Sequence, residues 1–68
     1  MSLNYKIDVL SALKDKGYNT TRLRKEKLLA EGVIQSIRNS KSISWSNIEK
    51  LCSLLDCQPG DILEYKKD

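Results

Sequence analysis

The sequence contains no histidine, one proline and only two cysteines among its 68 residues. Histidine is the commonest general base near neutral pH and the commonest zinc ligand, so both kinds of site lose their usual side chain. Cys52 and Cys57 do not complete a four-ligand zinc site. We find no pairing of a nucleophile with a base, no metal-ligand cluster and no glycine-rich phosphate loop. We therefore expect a protein that is not an enzyme and that binds neither a metal nor a cofactor.

Long apolar runs are also missing. No stretch approaches the roughly 20 apolar residues of a membrane span, and the first ten residues do not have the pattern of a signal peptide. We therefore expect a cytoplasmic protein without a membrane partner. In that setting Cys52 and Cys57 are interpreted as reduced thiols that act as small buried apolar groups, with a disulfide or redox switch as the alternative.

What the chain does contain is positive charge in its middle. Residues 14–41 hold eight of the twelve Lys and Arg residues but only three of the nine Asp and Glu residues. The excess of positive charge in this region is typical of a phosphate-binding surface, although a lysine-rich solvated surface would give the same count. The length allows one domain, residues 1–68.

Helical signals recur along the chain and predict an all-α fold of five short helices with a short extended tail. A first helix is predicted over residues 4–16, with Gly17 as its stop. Thr20 or Thr21 is a candidate cap for the second helix. Ser44 lies between Ile43 and Ile48 and predicts the start of a helix over residues 45–55. The remaining signals are Pro59, which suits the first position of a short helix, and residues 62–65, which suit a brief strand or extended segment.

The central stretch, residues 20–39, reads as two short helices joined by a tight turn, about 21–28 and 30–39. Apolar residues form one inward stripe on each helix. The outer face of the second helix carries short polar groups and a glycine, which suit contact with a flat polar partner. The residues assigned to the core are Leu23, Ile34, Ile37, Ile48, Leu51 and Leu55.

Three segments of this pattern, residues 14–25, 36–39 and 43–65, resemble the helix-turn-helix regulators of the Cro and phage-repressor type, which are common among small bacterial and mobile-element proteins. The resemblance covers nearly the whole chain and implies a lambda-repressor-like fold. Two residues depart from the family pattern, Arg24 where alanine is usual and Leu28 where glycine is usual. They imply that Arg24 leans outward and that the turn avoids a left-handed backbone at Leu28.

The resemblance further implies a sequence-specific, repressor-type transcriptional regulator whose second motif helix enters the major groove of double-stranded DNA. The residues expected to contact bases are Glu31, Gly32, Val33, Gln35 and Ser36. The residues expected to contact phosphates are Thr20, Thr21, Arg22, Arg38, Asn39, Ser40 and Lys41. Gln35 is the strongest candidate, because its amide can bridge adenine N6 and N7.

The possible partners include a second copy of the chain and, alternatively, another polypeptide. A single module binds DNA weakly, so we expect pairing of two copies on a two-fold site, with Trp45 and residues 62–65 as candidate dimer surfaces. A different class of function stays open: a protein-interaction module, such as an antitoxin or an adaptor, that keeps the same fold and binds a polypeptide.

Overall fold

The computed structural model describes residues 2–67, which form five helices and one two-stranded antiparallel sheet. In chain order the elements are β1 (Ser2–Tyr5), α1 (Val9–Asp15), α2 (Thr20–Lys25), α3 (Glu31–Arg38), α4 (Trp45–Leu55), α5 (Pro59–Ile62) and β2 (Leu63–Lys66). The predicted number of helices is confirmed. The prediction of an all-α fold is wrong, because the two ends of the chain pair as strands.

The first strand takes up the first two residues of a predicted helix, and residues 6–8 connect it to α1. Residues 4–16 were expected to be helical, but α1 begins only at Val9. Leu3 and Tyr5 lie on one face of β1, opposite Tyr65 and Leu63 of β2. The two-residue alternation of apolar side chains fits a strand as well as the helical repeat that the prediction followed. Residues 2–5 form a strand because they pair with β2 at the other end of the chain.

Helices α1, α2 and α4 each follow an N-cap residue whose side-chain oxygen accepts a hydrogen bond from the backbone N–H three residues further on. The accepting and donating residues are Asp8 and Ser11 at 3.1 Å, Asn19 and Arg22 at 2.8 Å, and Ser44 and Asn47 at 3.3 Å. Ser44 is the predicted cap. The prediction for α2 is wrong by one position, because Asn19 caps this helix and Thr20 is already its first residue.

Of the two motif helices, α2 ends at Lys25 and not at residue 28 as predicted, and α3 spans Glu31–Arg38 where residues 30–39 were predicted. The remaining boundaries agree more closely with the predictions. Gly17 follows α1 with φ +93°, a backbone conformation that favours glycine, and it ends the helix as predicted. Pro59 is the first residue of α5, as expected, and α4 has the predicted bounds. The predicted tail forms β2, which begins at Leu63.

The core is a single cluster of apolar side chains contributed by every helix. Its buried members are Val9, Leu13, Leu23, Leu29, Ile34, Ile37, Leu51, Leu55 and Ile62. Five of the six predicted core residues are among them. The exception is Ile48, which is only half-buried, because it lines a small open cleft between α4 and β1 together with Leu3 and Ile43.

Both cysteines are free, half-buried thiols that pack against this core. The Cys57 N–H donates to the Cys52 carbonyl at 3.0 Å, which closes the end of α4. Burial raises the pKa of the Cys57 thiol, and neighbouring Cys52 raises it further. The Cys57 thiol therefore favours its protonated, less reactive form at neutral pH.

Candidate nucleic-acid interface

The turn between α2 and α3 sets how the second helix is presented. Lys27 takes the left-handed conformation, with φ +54°. The N–H of Leu28 donates to the Leu23 carbonyl at 2.9 Å, and the N–H of Lys27 donates to the Arg24 carbonyl at 3.1 Å. These two bonds close the end of α2 in a Schellman motif. The turn therefore avoids a left-handed backbone at Leu28, as expected, by moving that conformation one residue earlier.

Helix α3 buries one side and exposes the other. Ile34 and Ile37 lie in the core, and Val33 is half-buried against it. Four of the five residues predicted to contact bases lie on the remaining surface: Glu31 and Gly32 are exposed, and Gln35 and Ser36 are half-exposed. None of these four residues is sealed beneath another part of the chain, so all of them can be reached by a partner.

Gly32 is not required by the fold. Its backbone does not take a positive φ, and a Cβ placed on it would meet no heavy atom within 4 Å. Glycine in a helix interior costs about 0.5–1 kcal/mol relative to alanine. The effect of this glycine is to leave the exposed side of α3 flat at its first turn, where another molecule can come close to the backbone.

A network of hydrogen bonds between three side chains connects α2 to the exposed face of α3. The guanidinium of Arg24 donates through Nε to Glu31 Oε2 and through Nη2 to Glu31 Oε1, the latter at 3.1 Å. Gln35 Nε2 donates to the same Oε1 at 3.1 Å. These hydrogen bonds, from Arg24 first and then Gln35, lower the pKa of the Glu31 carboxyl group below its ordinary value. Glu31 is therefore ionised at neutral pH, with its charge offset by Arg24.

A cleft of about 740 Å³ lies beside α3 and gathers part of the predicted phosphate-contacting set. Thr20, at the start of α2, shares this cleft with Arg38 and Ser40, at the end of α3. Lys14 of α1 also lines it. The fold thus brings two cations, one carboxylate (that of Asp8) and four hydroxyl groups, widely separated in sequence, to one open depression beside α3. Cations and hydroxyl groups are common donors to DNA phosphates.

The segment after α3 is fixed by backbone bonds. Ser40 takes a left-handed conformation, with φ +57°, while the N–H of Lys41 donates to the Ser36 carbonyl at 2.7 Å. The hydroxyl of Tyr5 donates to the Lys41 carbonyl at 2.6 Å and so joins β1 to this segment. Asn39, Ser40 and Lys41 are all exposed. These predicted phosphate-contacting residues are therefore held in place and open to solvent.

Arg22, another predicted phosphate-contacting residue, is engaged within the chain. Its guanidinium donates to Glu26 at 2.6 Å and to the Gly17 carbonyl at 3.1 Å, and it lies 4.6 Å from the centre of the Tyr18 ring. It does not line the cleft that holds Thr20. Arg22 therefore ties the start of α2 to the turn before it, and it reaches a phosphate only by exchanging these partners. Its neighbour Thr21 is exposed.

Sequence reasoning missed two contributors to this surface. The sequence places Arg24 in the basic region and marks it as a departure from the family pattern but assigns it no contact, whereas in the structure it joins the predicted base-facing residues through Glu31. Lys14 was counted as part of the basic region but was not assigned to the site. The sequence signal for Arg24 was its charge opposite to Glu31 across a short turn. The position of Lys14 depends on how α1 packs, and no local sequence signal predicts that packing.

The candidate dimer surfaces differ in exposure. Trp45 is 85% exposed, and the cross-strand pair Leu3 and Tyr65 are 66% and 61% exposed. Ile62, in contrast, is fully buried in the core of its own chain. The exposed apolar surface therefore lies at the start of α4 and on one face of the terminal sheet. Contiguous exposed apolar patches of a few hundred Å² commonly mark protein interfaces.

A membrane span and a metal centre are two further kinds of site to consider for residues 2–67. No helix in this part of the chain is both long and apolar enough to cross a membrane. Nor do the described residues bring three or more Cys, Asp or Glu side chains together in a group that could hold a metal ion.

Comparison with known proteins identifies the family of the chain. Residues 7–68 match the family described as the Cro/C1-type HTH DNA-binding domain. A protein of Bacillus subtilis (strain 168), named uncharacterized HTH-type transcriptional regulator YozG, is 35% identical over 68 residues, which span all of this chain and 81% of the relative. No solved structure matches the chain significantly.

Proposed function

The chain belongs to the Cro/C1-type helix-turn-helix DNA-binding family, and on that premise we propose that it is a sequence-specific transcriptional regulator that reads double-stranded DNA with α3 in the major groove. The observation that carries the proposal is the accessible polar face of α3 next to a basic cleft. In this proposal residues 1–68 act as one DNA-binding domain. The base-facing set is Glu31, Gly32, Val33, Gln35 and Ser36.

The contacts proposed for the outer face of α3 and for the cleft beside it follow from the chemistry of their side chains. Gln35 and Ser36 carry donors and acceptors on the outer side of α3 and meet base edges. Arg38, Lys41 and the hydroxyl groups of Thr20 and Ser40 meet phosphates and fix the register of the helix without reading sequence. The exposed residues Asn39 and Thr21 belong to this proposed set, and Arg22 joins it after exchanging its partners.

The experiment that tests this proposal is selection of bound duplexes from a random pool, followed by equilibrium binding to the selected duplex and to scrambled DNA. Arg38→Ala should weaken binding to both by a similar factor and reduce the salt slope by about one, because one phosphate contact is lost. Gln35→Ala should instead flatten the preference at one base pair. If the wild-type protein enriches no duplex, the DNA-reading proposal is wrong, and a polypeptide partner becomes the better hypothesis.

We propose that two copies bind a two-fold site through the exposed apolar surface at Leu3, Tyr65 and Trp45. A single module buries only about 600–1,000 Å² on DNA, so pairing supplies the affinity that a selected operator requires. The test is sedimentation of the Leu3→Ser, Tyr65→Ser double variant, with Asn4→Ser on the other face of the sheet as its control. The double variant should shift towards monomer, and an unchanged association constant would place the interface elsewhere.

Repression is the proposed direction of regulation. The surface assigned to DNA on residues 2–67 acts most directly by occupying its site and excluding polymerase. Placing the selected operator across a promoter and measuring reporter output tests this: expression of the protein should lower the output. Higher output from the same arrangement would instead indicate an activator.

A further inference from the structure

A residue outside the predicted site connects to its centre. Arg24 belongs to α2, yet its guanidinium forms two hydrogen bonds with Glu31 at the start of α3, and Glu31 accepts a third from Gln35. We infer that Arg24 is a specificity-determining positioning residue, which fixes Glu31 so that Glu31 orients the Gln35 amide towards adenine. This inference rests on the proposed function and deepens it.

The orientation follows from what a carboxylate can bind. An ionised carboxylate only accepts hydrogen bonds, so Glu31 selects the NH2 end of the Gln35 amide rather than its oxygen. One N–H of Gln35 is used in this bond, which leaves one N–H donor and the carbonyl oxygen. Those two groups match adenine in the major groove, whose N7 accepts and whose N6 donates. A glutamine without this partner can turn its amide over and present the groups in the opposite order.

The inference also gives Glu31 a role other than direct base contact. Both of its oxygens accept hydrogen bonds from Arg24, and Oε1 accepts from Gln35 as well. A carboxylate without a partner on this face would repel DNA phosphates, and Arg24 offsets that charge. The planar fork of an arginine fixes both oxygens at once, whereas the ammonium group of a lysine offsets the charge without fixing the plane.

A second arginine offers a matched control. The side chains of Arg22 and Arg24 are each 45% exposed, and each forms an ion pair with a glutamate that is about half exposed. The partner of Arg22 is Glu26, directly after the same helix, which has no bond to Gln35, whereas the partner of Arg24 lies on α3. Arg22→Ala therefore removes the same charge from the same helix without removing the bonds that orient Gln35.

The test measures binding of the full chain to a selected duplex and to its single-base-pair variants at one salt concentration. Gln35→Ala should reduce the preference for one A·T pair by roughly tenfold. Arg24→Ala and Arg24→Lys should each reduce the preference at that same pair by roughly threefold or more, and neither change should reduce it further in the Gln35→Ala background. Arg22→Ala should weaken binding to all duplexes by a common factor and leave this preference intact.

The outcomes separate the inference from the function on which it rests. Failure of the wild-type protein to enrich any duplex would overturn both. If the wild-type protein enriches a duplex but the Arg24→Ala variant keeps the preference for the A·T pair, only the inference is overturned. The same holds if Arg22→Ala and Arg24→Ala reduce that preference equally. Without DNA, the NMR signals of the Gln35 side-chain NH2 should shift in Arg24→Ala and stay in place in Arg22→Ala, and the reverse pattern would also overturn it.

Discussion

The helix-turn-helix motif and the terminal sheet are specified over very different distances along the chain. The motif is built from neighbours: a cap at Asn19, a turn that begins at Lys27 and apolar residues at helical spacing. The sheet pairs Leu3 with Tyr65, at opposite ends of the sequence. Its strands can meet only when the helices between them have packed. This fold therefore combines a locally encoded helix-turn-helix motif with a sheet whose formation depends on the packing of the whole chain.

The two regions also expose opposite chemistry. The motif presents amide, hydroxyl and charged groups on α3, next to a basic cleft. The sheet presents the side chains of Leu3 and Tyr65. In the proposed function the first surface meets DNA and the second meets another copy of the chain. Substitutions in one region should therefore affect a different measurement from substitutions in the other.

The largest contrast is expected from shortening one leucine in each region. Leu23 of α2 is fully buried, whereas Leu3 of β1 is 66% exposed. Leu23→Ala should lower the free energy of unfolding by about 2–5 kcal/mol, because it leaves a cavity in a small core. Leu3→Ala should change it by no more than about 0.5 kcal/mol. Urea unfolding at low protein concentration measures both, and similar losses would show that the sheet is as deeply integrated as the motif.

The same contrast explains which parts of the fold the sequence predicts. Ser44, Gly17 and Pro59 act on their immediate neighbours, so their roles as cap, stop and helix start were predicted and are confirmed. The strand at Leu3 and Tyr5 was read as helix, since the spacing of apolar residues there suits both structures. Only the position of the tail decides between them, and local sequence carries no information about it.

The candidate site divides in the same way. Which residues of α3 face outward follows from helical periodicity, and the structure exposes Glu31, Gly32, Gln35 and Ser36 to differing degrees. The partners of these residues do not follow from periodicity. Arg24 reaches Glu31 only because the turn sets the two helices at one particular angle. Side-chain bonds across a turn depend on such angles, so they were not predictable from the sequence.

A hydrogen bond that joins the two regions gives a smaller effect. The Tyr5 hydroxyl of β1 donates to the Lys41 carbonyl beyond α3 at 2.6 Å. Tyr5→Phe should lower the free energy of unfolding by about 0.5–1.5 kcal/mol, the usual net value of one hydrogen bond. Tyr65→Phe, on an exposed ring of the same sheet, is the control and should have little effect. Equal effects from the two changes would argue that the bond to Lys41 does not couple sheet and motif.

Gly32→Ala is expected to separate stability from binding within the motif. A Cβ at this position meets no other atom of the chain, so the change should raise the free energy of unfolding by about 0.5–1 kcal/mol through helix propensity. The same methyl group would project towards DNA and should weaken binding to the selected duplex. Thermal unfolding and equilibrium binding measure the two quantities. A variant that is more stable and binds equally well would mean that DNA does not approach this turn of α3.

The smallest effect concerns the protonation of Glu31. Its hydrogen bonds, from Arg24 above all, lower the pKa of this carboxyl group in the folded chain, so the pairing stabilises the fold above the unfolded-state pKa and is lost as the pH falls through the folded value. An NMR titration of the Glu31 carboxyl carbon should show a midpoint below that of an ordinary glutamate. Arg24→Ala should raise the midpoint towards the ordinary value, whereas Arg22→Ala should leave it in place. A titration midpoint that does not respond to Arg24→Ala would mean that the hydrogen bonds between Arg24 of α2 and Glu31 of α3 are absent in solution.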